Sequence, residues 1–404
     1  MMQDFREMGP PGDIGSFLSV TSIIVYQHRF SGTTYICAAR QDDRGWVLVS
    51  HGTDARTVIQ AAINALPTAG GKIFIRAGTY TLTLAIDLRQ HLIIEGEGPE
   101  ATVITVANNA NCDGMRFTIP ADTHVMLTIR NLTLTGNRTN NVTGRGINIA
   151  PAAGVLLDVH IIACYVCQWS EDGVYNSTPG GCIIDRCWIE FNDGDGVHFN
   201  GADGGWIFHT KISANIEHGV HVDTQCNQVR VIICEIRGNY KHGVFINAGG
   251  TVISHCKIHN NSQELVNSYD GVRINDGKSY NRIIGNQIDG NNMHRYGISI
   301  GANADYNITM ENHFLNNVTE HYGNWGSNNI CRYNRGYVTE NSGNNTGTGA
   351  QQAIPHGLSG IPNRVILWDI EIGANAYQSA VADANNIYLL AVINQDYGWE
   401  AKIV

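Results

Sequence analysis

Along the middle of this chain, apolar residues alternate with polar ones in short bursts, and each burst follows a glycine. Six of them run Gly173-Val174-Tyr175, Gly196-Val197-His198-Phe199, Gly219-Val220-His221-Val222, Gly243-Val244-Phe245-Ile246, Gly271-Val272-Arg273-Ile274 and Gly297-Ile298-Ser299-Ile300. The glycines are 23, 23, 24, 28 and 26 residues apart. A second motif, Ile-x-x-Asn, keeps the same beat at Ile189/Asn192, Ile212/Asn215, Ile236/Asn239, Ile258/Asn261 and Ile288/Asn291, and Phe314/Asn317 continues it. Alternation with period 2, broken by Gly, Asn and Asp, signals short strands, whereas helical repeats need about a dozen residues at 3.6 spacing. A fixed period with short strands predicts a solenoid, each unit forming one coil of a parallel β-helix. Successive coils then lie about 4.8 Å apart, so equivalent residues stack into ladders.

The ladders assign roles to the odder residues. Two positions before each repeat Ile stand Cys187, Thr210, Cys234, Cys256, Asn286 and Asn312, and Cys164 holds that place before Val166. Residues two apart on a strand share a face, so this column is expected to point inward with the Ile. Four of the ten cysteines are therefore read as small interior residues, not disulfide partners or metal ligands. The Asn column from Asn192 to Asn317 is expected to form an internal amide ladder at a corner.

Flanking stretches lack this beat. Residues 1–21, with Gly9-Pro10-Pro11-Gly12, read as an N-terminal arm, and 22–52 as a small antiparallel β region of hairpins. Residues 53–338 carry the β-helix, entered through a capping helix at 54–66. The Asn/Gly/Thr/Ser-rich stretch 339–352 reads as a linker, and 353–404 as a small C-terminal β domain that needs a partner surface for stability.

The entrance is the most distinctive part. Asp54-x-x-x-x-Ile59-Gln60-x-Ala62-Ile63-Asn64-Ala65, followed by Gly70-Gly71-Lys72-Ile73-Phe74-Ile75-x-Ala77-Gly78-Thr79-Tyr80, closely resembles the start of pectate-lyase-like right-handed parallel β-helices. The resemblance implies an all-β fold: a right-handed parallel β-helix whose N-terminal helix plugs the first coil, with a small C-terminal β-sandwich-like domain. That family includes bacteriophage tailspikes and secreted polysaccharide lyases and hydrolases. Arm, solenoid and the C-terminal stretch around Ala353-Ile354-Pro355-His356-Gly357-Leu358 are closest in organisation to tailspikes. This implies a homotrimeric virion appendage acting outside the cell, joined to a larger assembly by its arm. The alternatives are a non-catalytic structural or adhesive β-helix and a secreted or cell-surface lyase or hydrolase.

Composition narrows the partner. A net charge of -10, only 15% charged residues and 45 glycines argue against nucleic acid and anionic membranes. No apolar run is long enough to span a bilayer, and no basic start precedes an apolar core. Polysaccharide is the expected partner.

Candidate chemistry lies just before the repeat glycines, where Asp172, Asp195, His218, His242, Asp270 and Tyr296 share a column. Asp172 and Asp195 fall on neighbouring coils, and two carboxylates roughly 5 Å apart is the separation used by retaining glycosidases. Asp172, Asp195 and His218 are therefore the catalytic candidates, with Tyr175, His198, His221, Asp223 and Arg273 as substrate-binding candidates on the same face. Acids also favour β-helix corners for local hydrogen bonding, and that plainer role is the stronger expectation. His198, His221 and Asp223 have the spacing of metal ligands, but an exposed flat sheet rarely provides tetrahedral depth; no metal and no cofactor are expected. The Gly-His-Gly and Arg-Ile-Lys strings of polygalacturonases are absent, the nearest being His218-Gly219-Val220 and Arg273-Ile274-Asn275. Catalysis thus stays open; if the chain is an enzyme, it is a polysaccharide hydrolase or lyase.

Overall fold

The computed structural model describes residues 22–118, 125–151, 157–178, 180–201, 203–370 and 375–403. The arm expected at 1–21 lies outside them. Three long sheets form the walls of a parallel β-helix, and each strand in the walls pairs with its counterparts in the coils before and after. The second and third sheets hold ten strands each, the first fourteen. Strands in the regular coils are only three residues long, such as Trp188–Glu190 and Lys211–Ser213 in the second sheet or Val197–Phe199 and Val220–Val222 in the third.

Stacking is in register. Ile189 pairs with Ile212, Ile212 with Ile236, and the row continues through Ile258 and Ile288 to Phe314. Every member is at most 1% exposed, and burying each such side chain stabilises the fold by roughly 1.5–3 kcal/mol. The repeat glycines exist for space. A Cβ on Gly196 would sit 2.5 Å from Ile212 Cγ2 and 2.7 Å from the Gly219 carbonyl of the next coil.

The corners are sharp, with one residue in the left-handed region. Between the first and second sheets that place passes through Ala163, Arg186, His209, Ile233, His255, Glu311 and Tyr333, all with φ between 45° and 58°. Non-glycine residues resist this conformation, a β-branched Ile most of all. The next residue inward compensates by satisfying the turn backbone. The Cys187 N–H donates to Thr210 Oγ1 at 3.2 Å, Cys256 N–H to Asn286 Oδ1 at 2.8 Å and Asn286 N–H to Asn312 Oδ1 at 3.0 Å. Cys164, Cys187, Cys234 and Cys256 are all buried here, and all ten cysteines are free thiols.

At the corner between the second and third sheets, the amide ladder runs Asn192, Asn215, Asn239, Asn261, with side-chain bonds of 2.8–2.9 Å. It then departs from the expected column. Asn291 is exposed in the left-handed region, at φ 47°, because the turn closed by the Met293 N–H to Gly290 O bond carries it outward. His294 takes its place: Nε2 accepts the Asn261 N–H at 2.9 Å, and Nδ1 lies 3.2 Å from Asn317 Oδ1. Burial pushes this imidazole down to about 4.

At the entrance, the helix spans Ala55–Asn64, shorter than 54–66 because Asp54 and Ala65 are its caps; the Asp54 carboxylate accepts the Thr57 N–H at 2.8 Å. Val58, Ile59, Ala62 and Ile63 bury against the first coil. The hairpins Ser22–Phe30, Thr33–Asp42 and Gly45–Gly52 are not separate from the solenoid. Ser22–Phe30 pairs in parallel with Gly71–Ile75, so they extend the first sheet.

Beyond the coils, two three-stranded antiparallel sheets enclose a second core of Ile387, Leu389, Tyr397 and Trp399. Glu340–Thr346, read from composition as linker, is a strand of this unit and pairs with Asp396–Lys402. Low hydrophobicity concealed it: its outer side chains face solvent, and its hold is the backbone ladder. No described helix is long and apolar enough to cross a membrane.

Candidate functional site

The outer face of the third sheet is a single file. Asp87, Arg116, Asn148, Tyr175, His198, His221, Phe245, Arg273 and Ser299 stack coil upon coil. Beside it runs the corner column, whose geometry separates two jobs within each acid. The Asp195 N–H donates to Asp172 Oδ1 at 2.9 Å, and the His218 N–H to Asp195 Oδ1 at 2.8 Å. The column continues with His242 N–H on His218 Nδ1 at 3.2 Å and Asp270 N–H on His242 Nδ1 at 2.8 Å. One carboxylate oxygen per acid is therefore engaged in the corner, and the second faces the outer file.

Those second oxygens converge. His198 Nδ1 lies 3.6 Å from both Asp172 Oδ2 and Asp195 Oδ2, and His221 Nδ1 is 2.9 Å from Asp195 Oδ2. The two imidazoles are stacked, their centroids 4.3 Å apart, and Tyr175 meets His198 edge-on. Arg145 Nε reaches Asp172 Oδ2 at 3.2 Å while its guanidinium lies 3.9 Å from the Tyr175 ring centroid, a cation–π contact.

Burial pushes the Asp172 carboxyl up, but His198, the Asp195 N–H and Arg145 outweigh it and hold the group below its ordinary value. Burial likewise lowers His221, yet its bond to Asp195, with Asp223 and Asp172 nearby, raises it above the usual imidazole value. His218 goes the other way: burial, then His242 and His221, push it down to about 2. Adjacent imidazoles are thus shifted in opposite directions by their surroundings.

Asp172, Asp195, Tyr175, His198 and His221 come together, with His218 at their edge. Asp223 stands at their margin: its Oδ1 accepts the Thr224 N–H at 2.6 Å and Asn247 Nδ2 at 3.0 Å, and it reaches His221 only through its charge. Arg273 stands two coils beyond His221, tied to Ser299 and Asp276 at 3.3 and 3.1 Å. Sequence reasoning missed Arg145 and Asn200, whose amide donates to the Tyr175 hydroxyl at 2.9 Å. Arg145 was within reach: it precedes Gly146 as Asp172 precedes Gly173, so it occupies the same column. The cluster is half-enclosed: Asp172 and Asp195 are buried, while Tyr175, His198 and His221 are partly exposed. A cavity of about 360 Å³ adjoins it, lined by Arg56, Asp113, Arg116 and Glu171, and another of about 820 Å³ opens elsewhere beside Tyr165 and Trp188.

A family model described as "Right handed beta helix region" matches residues 119–267 and 218–351, together more than half of the 404 residues. The chain belongs to the right-handed β-helix family. No curated protein matches it significantly. Among solved structures, ORF18 of Geobacillus virus E2 is similar at 15% identity and a TM-score of 0.55, covering 89% of this chain and 83% of that one. The A-modules of the Azotobacter vinelandii mannuronan C-5 epimerases AlgE4 and AlgE6 match at 18% and 21% identity. Their TM-scores are 0.51 and 0.50, and each match covers 70% of this chain and 95% of the module. At these identities the likeness is one of fold.

Proposed function

We propose that this β-helix binds an extended surface polysaccharide along the outer face of its third sheet and cleaves it at the cluster around Asp195. The observation that carries this reading is the Asp195–His221 pair, 2.9 Å apart, beside an Asp172 held ionised. With Nδ1 engaged by Asp195, Nε2 is the nitrogen of His221 that exchanges a proton with substrate. Asp172 is the anionic partner, acting as base or nucleophile, and Tyr175 with Arg145 offers an aromatic and cationic contact to sugar. A file of partly exposed side chains running coil upon coil suits a polymer lying along its length. Similarity of fold to modules named for acting on mannuronan is consistent with a polysaccharide ligand.

The deciding experiment uses Asp195→Asn. Asn keeps an Oδ1 to accept the His218 N–H, so the corner survives while the charge beside His221 is lost. Incubation with surface polysaccharides should yield reducing ends for hydrolysis or unsaturated uronates for elimination from the native chain and neither from the variant. Equal release by both would remove the assignment. Binding without product from either would establish the second reading, an adhesive β-helix, which is favoured by the corner bonds that both acids already make.

The likeness in fold to a viral protein supports a virion appendage as the setting, with the arm at 1–21 as its attachment. Exposed Ile361, Trp368, Val381 and Ile393 on the C-terminal unit support self-association there as a trimer. Sedimentation equilibrium that gives a monomer mass would reject this.

A further inference from the structure

The corner between the third and first sheets carries one column of left-handed residues: Gly204, Gln228, Gly250, Tyr280 and Tyr306, with φ of 82°, 54°, 71°, 64° and 57°. Bulky residues resist this conformation, and packing does not offset the cost at the two tyrosines, which are 66% and 52% exposed. Their rings stack on each other instead, inclined by 6° with centroids 5.4 Å apart. Tyr280 also borders a cavity of about 680 Å³, together with Asp203, Asn227, Gln228, Gly249 and Gly250. Tyr306 belongs to the following coil and those five residues to preceding ones, so the cavity opens on the ring face that Tyr306 leaves free. We propose that this corner is a second saccharide-binding site, where an uncharged hexopyranose unit lies on the free face of Tyr280 above Gly250.

In-register winding builds the step. Asp203 bridges to Asn227 and Asn227 to Gly249, while the Gly250 N–H donates to Ser279 O at 3.3 Å and the Tyr280 N–H to Asp305 O at 3.2 Å. The corner backbone is therefore a continuous floor, and it is bare where Tyr280 overlooks it. A Cβ on Gly250 would find Gln228 N at 3.9 Å, an ordinary contact, and Gln228 and Tyr280 hold side chains in the same conformation. Neither crowding nor backbone geometry demands glycine at 250; its bare Cα leaves room over the ring. The chemistry suits a sugar. A pyranose presents a face of C–H groups that packs on an aromatic ring, and a rim of hydroxyls that needs a few well-placed polar partners. Asn227 Nδ2 donates to Asp203 Oδ1 at 2.9 Å, which steadies both side chains and leaves the amide oxygen and the second carboxylate oxygen as acceptors. The exposed Gln228 adds both a donor and an acceptor. Asp203 is the charged member of the lining, so an acidic sugar meets like charge here, whereas an uncharged one donates to the carboxylate.

The site rests on the polysaccharide reading for the class of its ligand and not for its place. Asp172 and Asp195 stand at the corner where the second sheet turns into the third, and the Tyr280 platform stands at the opposite edge of the third sheet. It holds the polymer without touching the bond that is cut. Its test reads Tyr280 and not product release, so the two fail separately.

Fluorine NMR of the full chain labelled with 3-fluorotyrosine decides it. The Tyr280 signal is assigned by its loss in Tyr280→Phe, and the probes are the methyl glycosides of glucose, galactose, mannose and N-acetylglucosamine. At least one probe should shift the Tyr280 signal saturably. Gly250→Gln, which fills the floor with the side chain that Gln228 already carries in this conformation, should weaken that response about tenfold or more. Asp203→Asn, an exposed change that leaves the backbone alone, should weaken it by about tenfold through the loss of a charge-assisted hydrogen bond. Absence of a saturable shift with every probe overturns the site. So does a shift that both variants leave unchanged, or one that appears on raising protein concentration without saccharide, which would mean that a second copy of the chain covers the ring. Product release by the native chain alongside any of these results would leave the assignment at Asp195 standing.

Discussion

Asp195 and Asp270 occupy the same column of the same corner, three coils apart, and the molecule uses them in opposite ways. Each accepts the backbone N–H of the following coil, from His218 at 2.8 Å and Tyr296 at 3.2 Å. Asp270 then spends its remaining capacity on a two-pronged Arg295 guanidinium at 3.0 and 2.9 Å and on the Ser299 hydroxyl, and it is fully buried. Among the described residues no guanidinium closes over Asp195, and its second oxygen meets the imidazoles of His198 and His221. The nearby histidines follow suit, His221 raised beside Asp195 and His242 lowered by burial to about 4 despite Asp270. A position in the repeat therefore supplies a carboxylate, and its neighbours decide whether its second oxygen is sealed by a guanidinium or left facing imidazoles.

The sharpest way to break this contrast is to exchange charge for shape at both acids. Asp195→Asn should lower polysaccharide cleavage by about 10²–10⁴-fold with a melting temperature near that of the native chain. Should cleavage persist, Asp195 is as structural as Asp270. Arg295→Ala should instead cost about 3–5 kcal/mol of stability in denaturant unfolding, because it strands a buried charge. A loss below about 1 kcal/mol would show that Asp270 is not held by that pair.

Acid separates the two histidines. In the fold His242 stays neutral down to about 4, whereas the unfolded imidazole titrates near 6.5. Unfolding therefore takes up a proton between those values, and stability should fall as pH drops from about 6.5 toward 4. His294, also lowered to about 4, adds to this. His221 has the opposite sign: its contribution is present below 6.5 and lost as pH rises through its elevated folded value. Imidazole NMR titration should find His221 above and His242 well below the ordinary value; the reverse order would overturn the electrostatic account. The smallest expected effect is that of Asp223→Asn, within about 0.5 kcal/mol in stability, since it stands apart from both acids.

Much of this was legible in the chain. The alternation after each glycine and the Ile-x-x-Asn beat specify which residues stack, because in-register pairing carries sequence period directly into space. The inward cysteines, the shared column of Asp172 and Asp195 and the outward file of Tyr175, His198 and His221 all follow from that. Asn291 shows the limit: an added turn moved it out of the ladder, and His294, with no resemblance to the motif, replaced it.

Sequence by itself therefore determined the coil, the facing of each strand residue and the capped entrance, since these depend on local periodicity and on the repeat. Only tertiary structure decided that Asp195 and not Asp223 meets the stacked histidines, that Arg145 lies over Tyr175, and that Arg295 seals Asp270. Those outcomes hang on turn length and on side-chain direction at corners, where a shift of one residue exchanges partners and no periodic signal records the choice.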